Sequence, residues 1–170
     1  MINGMIAIFY SVFIGIAIGG LMISKRLMPT QLQVFLTTVF FAFTVYLGFL
    51  VGRYFETILA LRFIEILVGI VLLAIIILAF MNFHPMMGYF HKQSRVLWSI
   101  LFLLFFLFGI EWKIREVSIW LHVVSVIFFY FAILLGQIIQ YIVLQKTRRI
   151  EFVSYLPLVY FLIIAIIKLF

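Results

Sequence analysis

The sequence contains no cysteine and no aspartate, and only five glutamates among its 170 residues. The missing thiols exclude cysteine nucleophiles, iron–sulfur ligation, cysteine-based zinc sites and disulfides. Without aspartate no Ser–His–Asp set can be assembled, so a glutamate would have to stand in. No glycine-rich phosphate loop, HExxH zinc motif or carboxylate pair at catalytic spacing appears. Charged residues make up 10% of the chain, where a soluble domain carries about a quarter. The start, Met1-Ile2-Asn3-Gly4, has no basic stretch of the kind that opens a signal peptide, so the first helix is expected to be retained.

What is present is apolar. Hydrophobic residues account for 68% of the sequence and the mean hydropathy is +1.39. A soluble fold of this length has too little interior to hide that surface, so lipid is the expected solvent. Crossing about 30 Å of hydrocarbon takes roughly 20 apolar residues. Six runs meet or approach that length, at about 2–23, 32–51, 58–80, 96–110, 117–144 and 152–167. The expected fold is all-α: a polytopic bundle of six transmembrane helices with short loops, forming one integral membrane domain. The fourth run has only 15 residues. It is expected to reach span length by taking in Arg95 and Glu111, with their flexible stems carrying the charges to the interface.

Boundary residues agree with these divisions. Thr30 and Gln33 have capping-box spacing. Asn82, Pro85 and Gly88 interrupt the chain after the third run. Pro157 falls in the first turns of the sixth, where a missing N–H costs least.

The net charge of +7 does not point to nucleic acid, because the twelve Lys and Arg are scattered between apolar runs. They fit the ends of helices in a membrane. Loops one, three and five hold seven of them (Lys25, Arg26, Lys92, Arg95, Lys146, Arg148, Arg149). The other side holds five (Arg53, Arg62, Lys113, Arg115, Lys168). The positive-inside bias then expects both termini outside, in a bacterial cytoplasmic membrane.

Several positions stand out as chemistry inside the apolar runs. Ser118, His122, Ser125, Gly136 and Gln140 share one stripe of the fifth helix, with Gln137 about 60° away. Such a stripe should face other helices, either as interhelical hydrogen-bond glue or as the lining of a ligand or ion path. Arg62 and Glu65 are three residues apart near a membrane boundary and are expected to pair there and snorkel. Gly15-x-x-x-Gly19 and Gly48-x-x-x-Gly52 predict close helix contacts, within the chain or between two copies. His84, Met86, Met87 and His91 resemble a soft copper(I) set, but their spacing fits no defined template and no metal is assigned. Haem is disfavoured because His122 and the His84/His91 pair are expected at opposite faces. No cofactor is expected.

These features favour a non-enzymatic accessory or assembly subunit that binds other membrane proteins or lipids through its helix faces, or that forms a homo-oligomer. The alternative is a small transporter or facilitator for a neutral or lipidic solute. Against it, no carboxylate is expected near the midplane. A lipid-modifying enzyme or a haem or copper protein ranks third.

Overall fold

A computed structural model describes residues 2–23, 29–55, 61–83, 89–90, 95–146 and 151–170. They form six helices: α1 (Ile2–Met22), α2 (Gln31–Phe55), α3 (Leu61–Met81), α4 (Arg95–Ile114), α5 (Ile119–Lys146) and α6 (Leu156–Leu169). A short 3-10 turn, Glu151–Tyr155, leads into α6. All six spans are long and apolar enough to cross a membrane, and no strand occurs among the described residues. The protein is an all-α multi-pass membrane bundle.

Local chemistry sets the helix ends. The capping box at α2 is formed: the Gln33 N–H donates to Thr30 Oγ1 at 3.3 Å, and the Thr30 N–H donates to Gln33 Oε1 at 2.9 Å. At the end of α3 the Asn82 side chain donates to the Leu78 carbonyl at 2.8 Å. Pro157 occupies the first turn of α6. The α4–α5 reversal is the tightest. The Glu116 N–H bonds the Lys113 carbonyl at 3.0 Å and the Val117 N–H bonds the Trp112 carbonyl at 2.9 Å. That is a Schellman closure, with Glu116 rather than glycine at the left-handed position, φ 55°.

Packing does not follow chain order. The heaviest contacts join α1 to α5 and α2 to α4, each pair running parallel; α6 packs antiparallel to both α1 and α3. The close approaches explain both glycine motifs. A Cβ on Gly19 would run into the Ile133 carbonyl, and one on Gly136 into the Ile16 carbonyl. In the second pair, a Cβ on Gly48 would meet the Phe106 carbonyl and one on Gly109 the Val45 carbonyl. Gly15 abuts Ala132 and Phe129, and Gly52 abuts Lys113 and Ile110. Backbones this close gain dispersion contacts that lipid cannot replace.

Between these seams the centre is filled by rings. Phe41 stacks on Phe129 at 3.9 Å and meets Phe105 edge-on at 5.0 Å. All three are buried. The end of the bundle near Tyr89 is also aromatic, with Phe83, Tyr89 and Tyr155 in mutual contact and the Tyr89 hydroxyl donating to the Ser154 carbonyl at 2.9 Å. Burial, reinforced by neighbouring Tyr155, raises the Tyr89 phenol above its ordinary range.

Candidate functional site

The polar chemistry collects near the other end, where α1, α3 and α5 begin and α2, α4 and α6 finish. Consecutive residues of α4, Glu111 and Trp112, open onto two different flanks.

On the Glu111 flank lies a network of five charged side chains from three helices. Lys168 of α6 is hydrogen-bonded to Glu111 Oε1, and both side chains are only 1% exposed. Arg115, one turn beyond Glu111, donates its Nε to the same oxygen at 2.8 Å and pairs through its guanidinium with Glu65 of α3. Arg62 reaches the other Glu65 oxygen at 3.5 Å and donates to the Lys168 and Leu169 carbonyls at 3.4 and 2.8 Å. Those carbonyls belong to the last turn of α6, where the helix dipole favours a cation. The Lys168 ammonium also sits 4.0 Å from the Tyr10 ring centroid. Asn3 of α1 donates to the Arg115 carbonyl at 2.9 Å, tying a fourth helix to this end.

This arrangement corrects one expectation and extends another. Glu111 does not snorkel to the interface: its side chain is buried, with Lys168 and Arg115 matching its charge. The expected Arg62–Glu65 pair is formed at the start of α3, with Arg62 half-exposed, but it is not isolated. Glu65 is shared with Arg115, and half-exposed Arg62 clamps the end of α6. Sequence spacing gives Glu111 with Arg115 as an i,i+4 pair and sets Lys168 at the end of an apolar run. It offers no reason to join residues 57 positions apart.

On the Trp112 flank aromatic rings and hydroxyls take the place of ion pairs. The Trp112 ring meets His122 edge-on at 5.8 Å and Phe41 at 6.4 Å, and Tyr46 stacks over His122 at 6.5 Å. Four polar atoms of this region, Thr44 Oγ1, Trp112 Nε1, His122 Nδ1 and Ser125 Oγ, are buried without a hydrogen-bond partner. Three helices supply them: α2, α4 and α5.

The expected stripe of α5 is distributed along that helix. Ser118 is exposed just before it, accepting from the Trp120 N–H at 3.4 Å as an N-cap. Half-buried His122 and buried Ser125 line the Trp112 flank. Gly136 is pressed against α1. Gln140 donates to the Val153 carbonyl at 2.9 Å, pinning the 3-10 turn before α6. Gln137 is half-buried, its Nε2 without a partner. His84, Met86, Met87 and His91 lie outside the described residues. Among the described residues no cluster of three or more metal-ligating side chains occurs.

Six apolar spans closed over a buried ion network define the class: a polytopic membrane helical bundle. Beyond that class, the chain matches no family model, no curated protein and no solved structure.

Proposed function

We propose that this chain is a non-enzymatic accessory or assembly subunit that engages other membrane proteins or lipids through its outward helix faces. One observation carries the reading: among the described residues, the glycine motifs and the ion pairs are spent inside. Both glycine motifs are consumed by crossings within the chain, and the buried charges are matched with one another. What is left for recognition is the outer surface. It is broadest on α5, where Trp120, Ile127, Phe128, Phe131, Leu135 and Ile138 are exposed from the bundle. Large rigid apolar side chains of this kind pack against neighbouring helices or acyl chains.

The seven-to-five distribution of Lys and Arg supports a cell membrane, bacterial and cytoplasmic, with both termini outside. A single cysteine at Tyr54 should then react with an impermeant maleimide from outside. One at Thr147 should react only after permeabilisation. Labelling of both from one side would refute this orientation.

The proposed role is tested by native mass spectrometry of the protein released gently from its own membrane. A stoichiometric partner protein, a second copy or a retained lipid supports it. A second reading, a small carrier or facilitator for a neutral or lipidic solute, is favoured by the unpartnered quartet beside Trp112. A lone chain that moves such a solute in proteoliposomes would replace the first reading by the second.

A further inference from the structure

Hydroxyl groups in this bundle have a standard solution, and two of them decline it. Ser11, Thr37, Thr38 and Ser99 each donate to the carbonyl four residues back, at 2.8–3.1 Å. That bond is what keeps a hydroxyl tolerable in hydrocarbon. Thr44 and Ser125 are both fully buried, and neither hydroxyl has a partner. They belong to the same region as Trp112, itself 2% exposed with its indole N–H unpartnered, and as His122 Nδ1. The rings fix the neighbourhood. Phe41, three residues before Thr44, touches both Trp112 and Phe129. Ser125 lies between Phe129 and His122 on α5, and His122 touches Trp112. Among the described residues Glu111 Oε2 and Gln137 Nε2 are unpartnered elsewhere, whereas these four polar atoms, from three helices, flank one set of rings.

We infer that Thr44, Trp112, His122 and Ser125 form a binding site for one neutral hydrogen-bonding oxygen. The indole N–H only donates, so the ligand atom must accept. The two hydroxyls can donate to it or accept from it; the His122 ring bonds the Ala42 backbone, which leaves Nδ1 of the neutral imidazole as an acceptor, so the ligand oxygen must also donate. Thr44, Trp112 and Ser125 supply no formal charge with which to hold an ion, and an ion without a counter-charge is costly in this setting. Two sources share this chemistry: water, and the hydroxyl group of a membrane-soluble molecule. The inference stands apart from the proposed function, since either an accessory bundle or a carrier can hold such an oxygen.

The test uses the whole protein in lipid nanodiscs, comparing wild type with Thr44→Val/Ser125→Ala. Hydroxyls that hold a ligand are lost at a cost, so the double variant should melt lower, by about 2–4 °C or more. If the hydroxyls hold nothing, their apolar isosteres are neutral or stabilising, and an unchanged or higher Tm overturns the site. Independently, the 15N–1H signal of the Trp112 indole, assigned by its loss in Trp112→Phe, should sit at a hydrogen-bonded shift. An unbonded shift also overturns the site. Titration with 1-octanol separates the sources. A shift of that signal in wild type but not in the double variant assigns a membrane-soluble oxygen; magnetisation transfer from water without an octanol response assigns water.

Discussion

The two flanks of α4 solve the same problem in opposite ways. Around Glu111, three cations and two carboxylates from α3, α6 and the end of α4 pair with one another, leaving one net positive charge in a network whose Arg62 is half-exposed; one oxygen, Glu111 Oε2, has no hydrogen bond. Around Trp112, four neutral polar atoms are all unpartnered within the chain. The difference follows from the size of the penalties. A buried charge without its partner costs several kcal/mol, so the chain must supply the match itself. A neutral donor or acceptor costs about 1–3 kcal/mol, small enough for a stable bundle to tolerate or for a bound molecule to offset.

The comparison breaks most sharply at Lys168. Lys168→Met leaves Glu111 to Arg115 alone and should destabilise the bundle by about 3–5 kcal/mol in thermal or denaturant unfolding in detergent. Adding Glu111→Gln to that background should recover much of the loss. A further loss would mean that the ion pair is not what holds α4 to α6. Next in size is Gly48→Ala, which forces the Phe106 carbonyl of α4 away from α2. We expect a loss of about 1–3 kcal/mol and a disturbed Trp112 signal, with the cross-link yield of a cysteine pair placed at the α3–α6 contact unchanged. A fall in that yield would show that the two flanks move together.

The Tyr89 end gives a control far from both flanks. Its phenol is pushed above the ordinary value of 10.0 by burial. The folded state therefore prefers the protonated ring, and stability is undiminished below about pH 10 and falls as pH rises above it. Tyr89→Phe should cost about 1 kcal/mol at neutral pH through the lost bond to the Ser154 carbonyl and should remove the alkaline slope. If the slope persists, another group is titrating. The smallest effect is expected at the α4–α5 reversal. Glu116 holds a left-handed backbone that glycine adopts freely, so Glu116→Gly should stabilise by about 0.5–1 kcal/mol. A loss would show that the carboxylate makes a contribution that outweighs this strain.

Much of the scaffold was legible in advance, while the heart of the candidate site was not. The capping box at Thr30 and Gln33, the break at Asn82 and the position of Pro157 are local matters of one or two turns, so residue order suffices to read them. Glycines four apart announce a close crossing, but not with which helix. The α5 pattern marked His122 and Ser125, but their neighbours Thr44 and Trp112 come from α2 and α4 and carry no spacing signal between them. The burial of Glu111 is hidden from the sequence for the same reason. Its position near the end of an apolar run suits an interfacial charge, and only the arrival of Lys168 from α6 makes burial tolerable.

By itself, the sequence determined the solvent and the number of crossings. An apolar run either is or is not long enough for the hydrocarbon, and that demand is met one segment at a time. The tertiary structure alone decided who meets whom. Between helices already in lipid no hydrophobic gain selects a partner, so the pairing of α1 with α5 and α2 with α4 rests on backbone approach at glycines. The pairing of Lys168 with Glu111 rests on charges that neither helix can bury alone.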